Sequence, residues 1–459
     1  MTAQSVNGVK RNSLRRAIAS ARESLATELW PLPTLAVVLA VALGIALPLV
    51  DRAVDASLPP SVAGFLFAGG VDSARAVLSA ISGSLITATS LTFSLTVVAL
   101  QLASSQASPR VLRTFAKDRA VQDTLAMFVG TFAYALTVLR TVQDATDASD
   151  AQVPRIAVTL ASLLTFASVI TLALFLGHLA RQLRVDTVMR QVHSETGHTI
   201  DLVASTSTEG PEVLPSGLRP ETREVALARG SGFIRSVDRA RLLTIAVEHD
   251  LVIEEEHPVG HNVVKATPLA RWWTRDRLVH LGADDVERRS RDIAGAFGLS
   301  YERTASQDIG FGIRQLTDIC VRALSPGVND PTTAVHALGH VSAILGDLAE
   351  LPGQAVALED DDGHLRVILR THRFTDLLRT AMEQPRRYGC SDPDVVERLH
   401  QLLSEVGYRA RGPDQLEALG RELDLLVASV GQADYLPAER ERFSALAERT
   451  RTALAGELR

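Results

Sequence analysis

The stretch TSLTFSLTVVALQLASSQASPR, Thr89 to Arg110, has no charged side chain before its last residue, yet hydroxyls and amides interrupt it throughout. At about 100° per residue, Ser79, Thr87, Ser90, Ser94, Gln101, Ser104, Ser105 and Ser108 fall within roughly a third of a turn, as one stripe. Ile81, Leu85, Leu91, Leu95, Val98 and Leu102 are expected on the opposite side. The register holds to Pro109, where a helix should stop because proline lacks the donor and restricts the residue before it. A helix over 76–108 would be about 50 Å long, against about 30 Å for a bilayer core. The stripe has two readings. Hydroxyls can pack helices closely, satisfied by their own carbonyls. Alternatively the stripe faces water along a pore or transport path, with Ser90, Ser94, Gln101 and Ser105 as its defining residues.

Working outward, three further segments are long and apolar enough to span: about 30–50, 124–140 and 156–180, of which 124–140 is short. The first has Trp30 as an interfacial anchor, and no cleavable signal is read before it. Lys10, Arg11, Arg15, Arg16 and Arg22 precede it; Arg110, Arg113, Lys117 and Arg119 separate spans two and three; Arg181, Arg184 and Arg190 follow span four. The other two loops are acidic, with Asp51, Asp55 and Asp72 in one and Asp144, Asp147 and Asp150 in the other. The positive-inside rule then gives four spans with both termini in the cytoplasm of a bacterial inner-membrane protein. No charge falls at mid-membrane, which argues against a proton-coupled pump, and His178 is placed near the cytoplasmic end.

The remaining residues carry charges every few positions. The expected division is a cytoplasmic segment 1–29, a four-helix transmembrane domain 30–183, a helix and linker 184–220, a small β-rich subdomain 221–275 and a mainly helical cytoplasmic domain 276–459. The fold class is thus an α-helical membrane domain followed by a cytoplasmic α+β domain ending in a helical bundle. Glu209 to Pro220 reads as linker. EVALA, SGFIRSV, LVIEEE and NVVKATPL read as strands, and DRARLLTIAVEHD as a helix capped by Asp238. VGHNVVKATPL is loosely similar to a biotinyl-like or lipoyl-like hairpin, but no modifiable lysine sits at its turn. QAVAL and HLRVILRTH read as a hairpin about EDDDG, which lacks the spacing of a calcium loop. From Phe374 on the pattern is amphipathic helix, with Ser391 as the expected cap of SDPDVVERLHQLLSEVG. Net charge is −6, so no basic field argues for nucleic acid. Cys320 and Cys390 are far apart and form no CxxC.

The densest motif is Glu302 to Val341. Arg314, Asp318 and Arg322 are spaced four apart and can form an ion-pair ladder. Pro326 and Gly327 make a turn, Asn329 or Asp330 can cap the next helix, and Pro331 suits its first turn. The same residues could form an anion site, with the amides at Thr332–Thr333. GFG is too short for a phosphate loop. His336 and His340 have i,i+4 spacing without a visible third ligand, so neither metal nor cofactor is expected. No nucleophile–base set assembles, and an enzyme is not expected.

Four runs resemble a bacterial family of predicted membrane proteins catalogued as domain of unknown function 2254. They are Phe93 to Arg140, SGFIRSVD (Ser231 to Asp238), QDIGFGIRQLTDICVRALSPGVNDPTTA (Gln307 to Ala334) and RRYGCSDP (Arg386 to Pro393). The resemblance implies architecture and no activity. Ala266 stands where the family's hairpin pattern has glycine. Two functions remain open from the residues: an oligomeric channel or transport protein with a cytoplasmic regulatory domain, or a membrane-anchored sensor or scaffold. Lipid and further copies of the chain are the expected partners.

Overall fold

The computed structural model describes residues 30–54, 66–106, 118–143, 153–182, 184–205, 220, 223–276, 281–305, 307–351 and 355–456. The N-terminal basic segment, Asp55, Arg110 to Lys117, Asp144 to Asp150 and most of the Glu209–Pro220 linker lie outside those residues. The chain divides into two compact units, Met1–Arg184 and Val185–Arg459.

The first unit holds four helices, α1 (Pro31–Val54), α2 (Val71–Gln106), α3 (Arg119–Leu139) and α4 (Arg155–Gln182). All four are long and apolar enough to cross a membrane. Several bounds differ from the sequence reading, and helix α1 runs on to Val54. Helix α2 begins at Val71, taking in Arg75, whose Nη2 donates to the Val142 carbonyl at 3.3 Å. Helix α3 is a full 21 residues, because Asp118 caps it by accepting from the Ala120 amide at 2.9 Å. Helix α4 extends to Gln182.

Helix α3 is the centre of the unit, packing on α1, α2 and α4. Small residues let it approach α1. A Cβ on Gly44 would come within 2.9 Å of Thr137, and one on Gly130 within 3.4 Å of Ala36. Phe128, Tyr134 and Val138 fill the core with Leu78, Ile81 and Leu85 of α2 and Ala157 and Ala161 of α4. Two polar links fix the helix ends. The buried Asp51 carboxylate accepts from the Ile156 and Ala157 amides at 2.9 and 3.0 Å, capping α4 from the end of α1. At the other end, His178 Nε2 lies 2.7 Å from Asp118 Oδ2. These contacts put the end of α1, the start of α2, the end of α3 and the start of α4 together, so the four helices alternate in direction.

The second unit opens with α5 (Val185–Ser205). Two sheets follow. The larger has five strands, in the order β1 (Glu224–Leu227), β5 (Pro268–Thr274), β3 (Leu251–Glu255), β8 (Leu365–Arg370), β7 (Ala355–Glu359). Its pairs are antiparallel except β3 with β8. The smaller sheet is β4 (Asn262–Val263), β2 (Gly232–Val237), β6 (Phe297–Ser300). Helices α6 (Arg239–Glu248) and α7 (Ala283–Ala294) complete this layer around Trp272, Ile253, Leu242 and Ile293. The β-rich part therefore extends past the expected boundary at 275: its large sheet draws two strands from 355–370. β4 and β5 do not form a hairpin, because each pairs in a different sheet. Ala266, between them, takes φ +66°, the conformation glycine adopts without strain.

The helical part comprises α8 (Ile309–Ala323), α9 (Pro331–Ala349), α10 (Phe374–Gly389), α11 (Pro393–Arg409), α12 (Pro413–Gln432) and α13 (Pro437–Leu454). α9 packs on α8 and α11, and α12 and α13 close the bundle. Asp392, rather than Ser391, caps α11, accepting from the Asp394 and Val395 amides. The β7–β8 turn is as expected. Asp360 Oδ1 accepts from the Asp362 and His364 amides, and Oδ2 from Arg366 Nε at 2.7 Å. Asp360, Asp362 and His364 lie close enough together to hold a metal ion, but the turn already engages both Asp360 oxygens. Cys320 and Cys390 are buried free thiols.

Candidate functional site

Helix α2 presents hydroxyls on two faces. The inward face runs through Ala74, Leu78, Ile81, Ser82, Leu85, Thr92, Thr96 and Ala99, all buried. Thr96 Oγ1 donates to the Thr92 carbonyl at 2.8 Å, as expected of a hydroxyl satisfied by its own helix. The expected stripe lies about half a turn away. Ser79, Thr87, Ser90, Ser94 and Gln101 are all exposed. The side chains of Ser104 and Ser105, and all of Ser108, lie outside the described residues. The expected apolar arc is not a single face: Ile81 and Leu85 turn inward, whereas Leu91, Val98 and Leu102 are exposed beside the stripe. Counting back from the Arg75–Val142 contact along the antiparallel helices sets Gln101 level with the start of α3, at the end where Asp118 meets His178. Ser90 and Ser94 are therefore the mid-span members of the stripe, and Gln101 is at its rim.

In the second unit, Arg314 Nε and Asp318 Oδ1 are 3.2 Å apart. The ladder does not continue as an ion pair to Arg322, whose buried Nε has no hydrogen-bond partner among the described residues. Asn329 takes φ +48° and Asp330 is the cap of α9. Asp330 accepts from the Thr333 amide at 3.1 Å and from Thr333 Oγ1 at 2.6 Å, so its own carboxylate occupies the position expected for a bound anion. These bonds hold its carboxyl below the usual range. The glycines of GFG serve packing: a Cβ on Gly312 would lie 1.8 Å from Thr196 Oγ1 of α5. The structure adds what the spacing of His336 and His340 did not show, since His193 of α5 faces His340 with their Nδ1 atoms 3.3 Å apart. His336 Nδ1 lies 3.5 Å from Asp186.

A third feature had no reading in the sequence. The end of β2, the start of α6, the end of β3, the segment entering α8 and the end of β8 line a small recess, open on one side. Arg239, Glu255, Gln307 and His372 line it. The Val237 amide donates to Gln307 Oε1 at 3.1 Å, so SGFIRSVD and QDIGFGIRQL, two of the runs quoted above, meet here. Beside the recess, Asp308 caps α8 through the Phe311 amide at 3.0 Å, takes a bidentate pair from Arg303 at 2.8 and 2.9 Å, and lies 3.3 Å from His372 Nε2. Burial alone would raise the Asp308 carboxyl, but the bonds from His372 and Arg303 hold it below its ordinary value. His372 Nε2 also lies 2.8 Å from the Val259 carbonyl, so this nitrogen carries the proton. Gly260, at φ +91°, leaves no room for a side chain, because its Cβ would sit 2.1 Å from Asp308 Oδ2.

Neighbouring glutamates on β3 have opposite fates. Glu254 is buried and paired, with Arg223 at 3.2 Å and Arg370 Nη2 at 3.0 Å. Glu255, 2% exposed, faces the other way. Its Oε2 accepts from the Arg370 amide at 2.8 Å, and its Oε1 is buried with no partner among the described residues. Burial pushes its carboxyl up to about 8, against the opposing backbone bond from Arg370 and the charges of Arg239 and Arg370. Burial also lowers the Arg239 guanidinium, which Glu255 opposes. The sequence signal was only EEE in a strand. Alternation would turn one glutamate inward, but nothing in the pattern distinguished which one would lack an ion pair.

Fold and sites together define a protein with four apolar, membrane-length helices joined to a mixed helix–sheet unit. The family model described as Predicted membrane protein (DUF2254) matches residues 26–405, and the chain belongs to that family. Uncharacterised proteins of Mycobacterium tuberculosis and Mycobacterium bovis are each 34% identical over 431 residues, covering 93% of this chain and 80% of theirs. No solved structure matches the chain.

Proposed function

We propose that the protein is a multi-pass protein of the bacterial inner membrane with both termini in the cytoplasm. It works as a homo-oligomer whose α2 stripes face one another around a hydrated path. The second unit is its cytoplasmic regulatory domain, and the role is that of a channel or transport protein. One observation carries this reading. Ser82, Thr92 and Thr96 are buried within the protomer, whereas Ser90 and Ser94 are exposed about half a turn away. In a lipid-filled surrounding, polar groups are kept on protein or water-lined surfaces. The basic flanks support the orientation.

A cysteine scan tests the path. With Cys320 and Cys390 replaced, single cysteines at Ser90 and Ser94 should react with a water-soluble thiol reagent in membranes, and cysteines at Leu91, Leu95 and Val98 should not. Protection at 90 and 94 would remove the path.

A second reading, a membrane-anchored sensor or scaffold, is favoured by a separate observation: the recess in the second unit, which Glu255 helps to line. It needs no path through the membrane.

A further inference from the structure

We propose that His193 of α5, with His336 and His340 of α9, forms a site for a divalent transition metal of the zinc class, and that Asp186 orients His336. Neither reading of the function requires this site, and it is independent of any path along α2.

The argument begins with two facing nitrogens. His193 Nδ1 and His340 Nδ1 are 3.3 Å apart, with their rings inclined at 63°. Two imidazole nitrogens held at about 2.0–2.1 Å by one tetrahedral zinc are separated by about 3.3–3.4 Å. The pair therefore already has the spacing that a shared metal imposes. A hydrogen bond between two neutral rings also spans that distance, but it uses one nitrogen as donor and the other as acceptor. A metal takes a lone pair from each. Both residues are half-buried where α5 packs on α9.

The third ligand comes from α9. His336 lies one turn before His340 on the same helix, the spacing at which a helix presents two histidines to one ion. Its Nδ1 lies 3.5 Å from Asp186 Oδ1. That is the contact a carboxylate makes to the outer nitrogen of a metal-bound histidine, and it leaves Nε2 as the ligating atom. Among the described residues no third ligand atom lies within 4.8 Å of both Nδ1 atoms, so His336 closes the site by turning toward them. The His336 and Asp186 side chains are 57% and 66% exposed, so both can turn without displacing packed atoms.

The donor set selects the ion. Three imidazoles backed by one carboxylate suit zinc, nickel or copper, whereas calcium and magnesium take oxygen ligands. A fourth position is left for water. Of the charged side chains that act on His340, Asp186 favours a cation and Arg190 opposes it, so the affinity rests on the nitrogen ligands. Bound there, the ion ties α5 to α9.

The test uses the full chain in detergent, carrying no histidine tag, stripped with a chelator and titrated calorimetrically with zinc sulfate. Zinc should bind at one equivalent per chain and raise the thermal midpoint of the second unit. H193A, H336A and H340A should each weaken binding at least about a hundredfold, and D186N about tenfold, with D186E restoring part of the loss. H261A and H364A, at the stacked His257–His261 pair and the Asp360 turn, should leave binding unchanged. His336 is exposed, so H336A keeps the test decisive if either of the other two variants fails to fold. Absence of saturable binding at one equivalent would overturn the proposal. So would binding that H193A, H336A or H340A leaves unchanged, or that H261A or H364A abolishes.

Discussion

The two units treat polar groups in low-dielectric surroundings in opposite ways. The second unit turns charges inward and pairs them: Glu254 with Arg223 and Arg370, Asp308 with Arg303, Arg366 with Asp250 and Asp360. The first unit keeps its outward surface mainly apolar. Leu163, Phe166, Val169, Ile170 and Leu174 of α4 are all exposed, as a lipid-facing helix requires, and α2 alone puts Ser90 and Ser94 on that surface. Each unit also has exceptions, among them Glu255, Arg322 and Glu422 in the second and the α2 stripe in the first. A polar group left without an internal partner in a low-dielectric place marks where something else belongs.

The strongest way to sharpen the comparison is to remove one exception in the second unit. The Glu255 carboxyl lies above its ordinary value, so between about pH 4.5 and 8 the folded state holds a proton that the unfolded state has lost. Stability therefore falls as pH rises through that window, and the loss is complete above it. E255Q should abolish this dependence. Relative to wild type it should gain on the order of 3–5 kcal/mol between pH 5 and pH 9, read as the divergence of denaturant midpoints. A wild-type stability flat over that range would remove Glu255 from the exceptions.

A smaller effect is expected from close packing. Gly312→Ala forces a methyl into Thr196 of α5, and should cost about 2–3 kcal/mol and lower the thermal midpoint of the second unit. An unchanged midpoint would mean that α5 is not held against α8 as described. In the first unit, Asp51→Ala removes the cap of α4 and should cost about 1–2 kcal/mol, measured by thermal unfolding in detergent. A null result would show that the polar links at the helix ends contribute little beside apolar packing.

Much of this was legible in the chain. The four spans, the stripe on α2, the Asp238 cap and the EDDDG turn each follow from local spacing, because helix period and turn chemistry act over a few residues. Ala266 was flagged by the missing glycine and does adopt a left-handed backbone. What spacing could not supply was long-range: β3 beside β8, His193 facing His340, and Glu255 near Arg239 all join distant segments. The arc expected opposite the stripe was misjudged for a related reason. Leu91, Val98 and Leu102 are apolar, but which apolar residues face the protomer is set by where α3 lies.

The central claim is that the outward stripe of α2 faces other copies of the chain and the outward face of α4 faces lipid. The most direct measurement is crosslinking of single cysteines in native membranes with a short bifunctional thiol reagent, after replacing Cys320 and Cys390. Cysteines at Ser90 and Ser94 should give a covalent dimer on denaturing gels, and cysteines at Phe166 and Leu174 should remain monomeric. Dimer formation at 166 and 174 with none at 90 and 94 would contradict the account.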